Sequence, residues 1–176
     1  DFFMIDYRGF GKSKGRRTES ILLNDAQTVY KWLIKEYPEE QIVVYGRSLG
    51  SGIGARLASW NDPRMLILDS PYFSFYHQIR RYGWWLPLRY LLRYHLRTDQ
   101  FLKKVTCPIY IIHGDKDRLI SYAQGKRLHE ISADRSTLIT IEGGGHNNLP
   151  DFPEYHEHLY DILNEQEALV MYTKES

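Results

Sequence analysis

Three kinds of side chain in this sequence could together turn a hydroxyl into a nucleophile: Ser48, an aspartate at 115 or 117, and His146. A serine hydroxyl attacks poorly until an imidazole takes its proton, and the imidazole needs a carboxylate to fix its tautomer and stabilise the imidazolium. Ser48 stands in Gly46-Arg47-Ser48-Leu49-Gly50, which fits the G-x-S-x-G pattern of a nucleophile elbow. In such a turn the glycines let a strand and a helix approach, while the serine takes a strained backbone position with its hydroxyl exposed. A helix starting behind Ser48 aims free N–H groups and its positive dipole end at the same place, so negative charge developing there is stabilised. His146 follows Gly143-Gly144-Gly145, a run that lets the chain turn back and aim one side chain; the bland alternative is a solvated loop histidine. Asp115, in the tighter turn after His113-Gly114, is the better placed of the two acids to bond backbone N–H groups.

The elements that must position these residues follow from periodicity. Residues 42–45 are a β-branched and aromatic run of strand length, and residues 49–60 continue with Ile53, Leu57 and Trp60 at helical spacing, so Ser48 sits between a strand and a helix. Upstream, residues 2–5 read as a buried strand and residues 6–13 as a loop; residues 20–37 form an amphipathic helix that stops before Pro38. Downstream, strands are expected at 65–68, 109–112 and 137–141, with helices at 121–131 and 152–163 and a tail from 165 that extends the last helix or frays. Alternating strands and helices imply a parallel sheet covered on both faces, an α/β fold. Residues collect for function where such strands emerge at their carboxyl ends, and Ser48, Asp117 and His146 each lie just past one.

Residues 71–104 break that rhythm. They hold ten of the 25 aromatic residues, with Trp84, Trp85, Leu88, Leu91 and Leu92 beside Arg89, Arg93 and Arg97 at every fourth position. Seven basic side chains face Asp99 alone in this stretch, which leaves the rest of the chain acidic. A helical insertion packed on its own domain is the plain reading, and contact with a membrane surface or a partner is the other. The whole chain carries a net charge of +1, so no global field argues for nucleic acid. At 176 residues it is one domain or most of one. The single cysteine, Cys107, excludes an internal disulfide and reads as a buried structural thiol. No run of 18 apolar residues and no signal peptide is visible, which points to a cytoplasmic or membrane-peripheral location.

Two other motifs compete. Gly46-x-x-x-Gly50-x-Gly52 with Tyr122-x-x-x-Lys126 resembles the nucleotide-binding glycines and catalytic pair of short-chain dehydrogenases. Gly11-Lys12-Ser13 looks like the end of a P-loop, but the position for its first glycine is Asp6. His156, His158 and Glu154 read as a solvated helix face rather than a metal site.

The segments DYRGFGKS, GRSLGSG, CPIYIIHGDKD and GGGHNN, in this order and spacing, resemble the α/β-hydrolase superfamily. The likeness is to its small-capped serine hydrolases related to fungal Bem-type and depalmitoylase-like proteins, and it covers almost the whole chain. It implies Ser48 as nucleophile, Asp117 as acid in preference to Asp115, His146 as base and the Leu49 N–H as one oxyanion donor. His113 then supports the loop after its strand. Residues 71–104 fall at the family's lid, between core segments 1–70 and 105–176. The resemblance further implies an acyl substrate, apolar to match the lid, cleaved as an ester, thioester or amide without metal or redox cofactor. A non-catalytic protein that keeps the fold is the remaining alternative.

The family also carries, before the segment that opens this sequence, a strand ending in a His-Gly type loop that supplies the second oxyanion N–H. That strand would lie between residues 2–5 and 42–45, so the sheet is expected to have a gap at its centre. We expect an upstream segment of roughly 80 to 120 residues in the parent protein. These 176 residues alone are then expected to be inactive.

Overall fold

The computed structural model describes residues 1–9, 11–16, 18–80 and 94–174, with no account of the side chains of Arg80 and residues 165–174. Four parallel strands, β1 (Val43–Arg47), β2 (Met65–Asp69), β3 (Ile109–Gly114) and β4 (Ser136–Ile141), pair in that order. The register matches Val43 to Met65, Leu66 to Ile109 and Ile109 to Ser136. Their carboxyl ends therefore emerge side by side at Arg47, Asp69, Gly114 and Ile141.

Helices cover both faces because β2 and β3 are apolar on both. Leu66 and Leu68 with Ile109 and Ile111 face one core with Tyr30, Ala55, Leu102, Val105 and Leu128. Met65, Ile67 and Ile112 face the other with Ile141, Leu149, Tyr155 and Ile162. This is the period-two alternation of a strand, with both sets of side chains buried. The first face is lined by α1 (Glu19–Glu36), α2 (Leu49–Ala58), α4 (Thr98–Leu102) and α5 (Tyr122–Glu130), the second by α6 (Pro153–Lys174). The short α3 (Phe75–Arg80) follows β2.

Local chemistry sets the ends of α1. Thr18 caps it by accepting the Ile21 N–H at 3.2 Å, and Tyr37 turns extended as residues before proline do. Cys107 lies in the first core. Burial pushes its thiol up to about 11.

Two expectations are corrected. Residues 2–5 form no strand: Phe2 and Met4 are exposed, while Ile5 packs on the cluster of Leu22, Leu23 and Ala26 and the Phe3 ring meets Trp32 and Tyr37 edge-on. The run is a strap along α1, since a short apolar segment can lie on a helix as well as in a sheet. The sheet accordingly has no central gap, and β1 is an edge strand among the described residues.

Of the 71–104 segment, Tyr72, Leu96 and Leu102 are core residues. Trp84, Trp85, Leu88, Arg89, Leu91, Leu92 and Arg93 lie outside the described residues. The last helix runs on through the tail to Lys174. Among the described residues no helix is long and apolar enough to cross a membrane.

Candidate active site

Ser48 is the hinge between β1 and α2, at φ 49° and ψ −117°. A non-glycine residue held there costs about 1–3 kcal/mol and persists only where the surroundings enforce it. Here the Ser48 N–H donates to the Asp69 carbonyl at 2.9 Å, and its own carbonyl accepts from the Ser51 hydroxyl at 2.6 Å. Gly46 permits the turn, because a Cβ at that position would lie 2.6 Å from the Gly50 carbonyl oxygen. Leu49 is the first residue of α2, so its N–H has no acceptor one helical turn back.

Two loops bring the other side chains to this hinge. After β3, Asp115 accepts the Gly143 N–H at 2.7 Å and the Lys116 N–H donates to the Gly144 carbonyl at 2.9 Å. Asp117, not Asp115, is the acid that accepts two backbone N–H groups, but Asp115 bonds the Gly143 N–H and so joins the β3–α5 loop to the glycines before His146. Asp117 and His146 are carried together as a result. Asp117 Oδ2 lies 2.8 Å from His146 Nδ1, and His146 Nε2 lies 3.0 Å from Ser48 Oγ.

The proton positions follow from the partners. A carboxylate only accepts, so His146 carries its proton on Nδ1 and leaves Nε2 free to take one from the Ser48 hydroxyl. Asp117 is buried, and its other oxygen accepts the N–H groups of Leu119 and Ile120 at 2.9 and 2.8 Å. Burial alone would push its carboxyl up. Hydrogen bonds from His113, His146 and the Ile120 N–H outweigh that and hold it well below the usual carboxylate range.

His113, fully buried, donates from Nε2 to the Ile120 carbonyl at 2.9 Å and lies 3.4 Å from Asp117 Oδ2. It braces the acid's loop and does not touch Ser48 in the hydrogen-bond network. The arrangement can generate a serine alkoxide equivalent at neutral pH beside the start of a helix.

The residues singled out for a reductase do not converge. Tyr122 spends its hydroxyl on Thr140 at 2.6 Å on the exposed side of β4, and Gly46 serves the packing of β1 on α2. His156 bonds the Pro150 carbonyl at 2.8 Å.

Sequence reasoning missed Arg47 and Asp69. The Arg47 Nη2 donates to the His146 carbonyl at 3.0 Å, and its Nε lies 3.6 Å from Asp69 Oδ2. An aspartate directly after the apolar run of 65–68 was the one signal for Asp69, and Arg47 had none.

The sequence model of the family described as serine aminopeptidase, S33 matches residues 1–97, which include Ser48. An uncharacterized protein of Mycobacterium tuberculosis is 31% identical over 147 residues, covering 82% of this chain and 52% of that one. The human alpha/beta hydrolase domain-containing protein 17C is 28% identical over 176 residues, covering 94% and 50%. The lysophosphatidylserine lipase ABHD12 of Danio rerio is 25% identical over 152 residues, covering 76% and 40%. This chain thus spans about half the length of the curated relatives it matches. The Pyrococcus furiosus esterase Pf2001 shares the fold, with a TM-score of 0.70 at 20% identity over 92% of this chain and 68% of that one. With the parallel sheet and the family match over residues 1–97, the chain belongs to the serine aminopeptidase S33 family of the α/β-hydrolase superfamily.

Proposed function

We propose that this protein is a serine hydrolase that cleaves carboxylic ester, thioester or amide bonds through an acyl-enzyme on Ser48. The observation that carries the reading is the continuous chain of hydrogen bonds from Asp117 through His146 to the strained Ser48. Ser48 Oγ attacks the substrate carbonyl carbon as His146 Nε2 takes the hydroxyl proton, and Asp117 stabilises the imidazolium. The oxyanion is met by the Leu49 N–H. His146 then returns the proton to the leaving alcohol, thiol or amine, and a water activated by the same nitrogen releases the acid.

An apolar acyl group is the favoured substrate. The aromatic and leucine residues of 71–104 suit one, and a relative named as a lysophosphatidylserine lipase acts on a lipid. The depalmitoylase-like grouping belongs to this proposal. So does a lid at 71–104 whose arginines approach a membrane surface.

Among the described residues β1 is an edge strand, a seat for a further strand that would pass beside the Ser48 turn and bring a second oxyanion donor. Because these residues span about half the length of the curated relatives they match, the activity is proposed for the full natural chain.

Hydrolysis rates of that full chain across p-nitrophenyl esters from acetyl to palmitoyl test the reading. Rates rising beyond the acetyl ester are expected. A monotonic fall from the shortest chain would contradict an apolar acyl site, and a folded protein inert to every ester would favour a non-catalytic interaction protein.

A further inference from the structure

His146 follows three glycines, a stretch whose backbone freedom leaves the base poorly fixed unless something outside the loop holds it. The Lys116 and Asp115 contacts hold the glycines themselves, and Asp117 holds one ring nitrogen. The backbone of His146 is held from the opposite side by Arg47, whose Nη2 donates to its carbonyl at 3.0 Å.

Arg47 is in turn anchored on a carboxylate outside the triad, Asp69, whose Oδ2 lies 3.6 Å from the Arg47 Nε. Asp69 is fully buried, a position that is unfavourable for a charge without several donors. Its Oδ2 accepts the hydroxyls of Tyr45 at 2.6 Å and Tyr155 at 2.9 Å, and the Arg47 Nε stands at 3.6 Å. Its Oδ1 accepts the Ser70 hydroxyl at 3.0 Å. The two tyrosine hydroxyls also lie 2.8 Å apart, so β1, β2 and α6 converge on this one acid. Burial, with the Asp69 charge adding to it, pushes the Tyr155 hydroxyl up to about 12, which keeps it a donor at neutral pH.

Asp69 reaches the nucleophile as well. Its backbone carbonyl accepts the Ser48 N–H at 2.9 Å. Arg47 and Ser48 are consecutive, so the pair Arg47–Asp69 spans both halves of the reacting geometry: the serine turn through the Asp69 backbone, the histidine loop through the Arg47 guanidinium.

We propose that Arg47, seated on buried Asp69, is a positioning residue that fixes the His146 loop against the Ser48 turn. The inference rests on the reading of Ser48 and His146 as nucleophile and base. The spread guanidinium donates to the His146 carbonyl from Nη2 while its Nε stays within ion-pair distance of Asp69; lysine cannot hold both places, because its ammonium is a single point charge. The Arg47 side chain is 37% exposed, so a small cation can enter the space it leaves on truncation.

The test uses the full natural chain and a p-nitrophenyl ester, with Ser48→Ala, Arg47→Ala, Arg47→Lys and Arg47→Gln side by side. Arg47→Ala is expected to lower kcat about 10- to 100-fold with KM within about twofold, since the loss falls on alignment and not on substrate binding. Arg47→Lys and Arg47→Gln should fall between Arg47→Ala and the natural enzyme. Added guanidinium, at a concentration well below denaturing, should restore Arg47→Ala severalfold while sodium chloride at equal ionic strength does not.

A purely structural role would lower the melting temperature and leave the kcat of the folded variant unrescued by guanidinium, which would overturn the inference. So would an unchanged kcat in Arg47→Ala. If Arg47→Ala does not fold, the lysine and glutamine variants decide: natural kcat in both contradicts the role, and a graded loss at unchanged KM supports it. Activity surviving in Ser48→Ala would instead defeat the reading on which the inference rests.

Discussion

The Lys116 N–H donates to the Gly144 carbonyl at 2.9 Å, and together with the Asp115–Gly143 bond it joins the two loops on which Asp117 and His146 meet although 29 residues separate them. The loops approach so closely that a Cβ on Gly114 would lie 2.2 Å from the Gly144 carbonyl oxygen. Gly114→Ala must therefore push the loops apart. We expect kcat to fall by about 100-fold, and overpacking to cost about 1–3 kcal/mol in urea unfolding. Natural kcat in this variant would show that the loop contact does not align the site.

Asp117→Asn should lower kcat by about 10⁴-fold, because an amide no longer fixes the Nδ1–H tautomer of His146. The acid also links stability to pH. Its folded-state carboxyl titrates below the unfolded value, so its stabilisation is fully present above the unfolded pKa of about 4 and is lost as pH falls through the folded one. The stability gap between the natural protein and Asp117→Asn should be widest near neutral pH and close on acidification below about pH 4. Denaturant titrations at pH 7 and at successively lower pH check the sign.

Gly46 has the same character on the other side of the site. Its would-be Cβ meets the Gly50 backbone oxygen, which cannot rotate away as a side chain could. Gly46→Ala is expected to destabilise by about 1–3 kcal/mol. It should also slow any reaction at Ser48 by shifting the start of α2. A melting temperature equal to that of the natural protein would contradict the close-packed turn.

These particular residues also show what a sequence reveals. Ser48 and His146 were singled out because each stands past an apolar run of strand length, beside glycines whose spacing has a mechanical purpose, whereas the residues alone left Asp115 and Asp117 open and only the family resemblance favoured Asp117. Phe2 to Ile5 misled because four consecutive apolar residues fit a helix flank as well as a sheet, and only the neighbours decide. Arg47 was invisible as the variable position of its motif: its acceptor is a backbone carbonyl 99 residues away, and no local pattern encodes such a contact. Asp69 directly follows the apolar run of 65–68, and a carboxylate buried at a strand end demands donors that only the folded chain assembles.

Cys107 offers a check on the core that is independent of catalysis. It is buried among Val105, Leu102 and Ile109, and its thiol is pushed up to about 11, so little thiolate exists at neutral pH. Iodoacetamide should leave it unmodified in the native protein and alkylate it fully in denaturant. Rapid native alkylation would mean that the packing of this core is wrong.

The central claim is that Ser48 is the nucleophile activated by His146. Its most direct measurement is mass spectrometry of the full natural chain after reaction with a fluorophosphonate. The account predicts one adduct, on the peptide containing Ser48, absent in Ser48→Ala and strongly slowed in His146→Ala. Labelling that persists in Ser48→Ala, or a folded natural protein that takes no label, would contradict it.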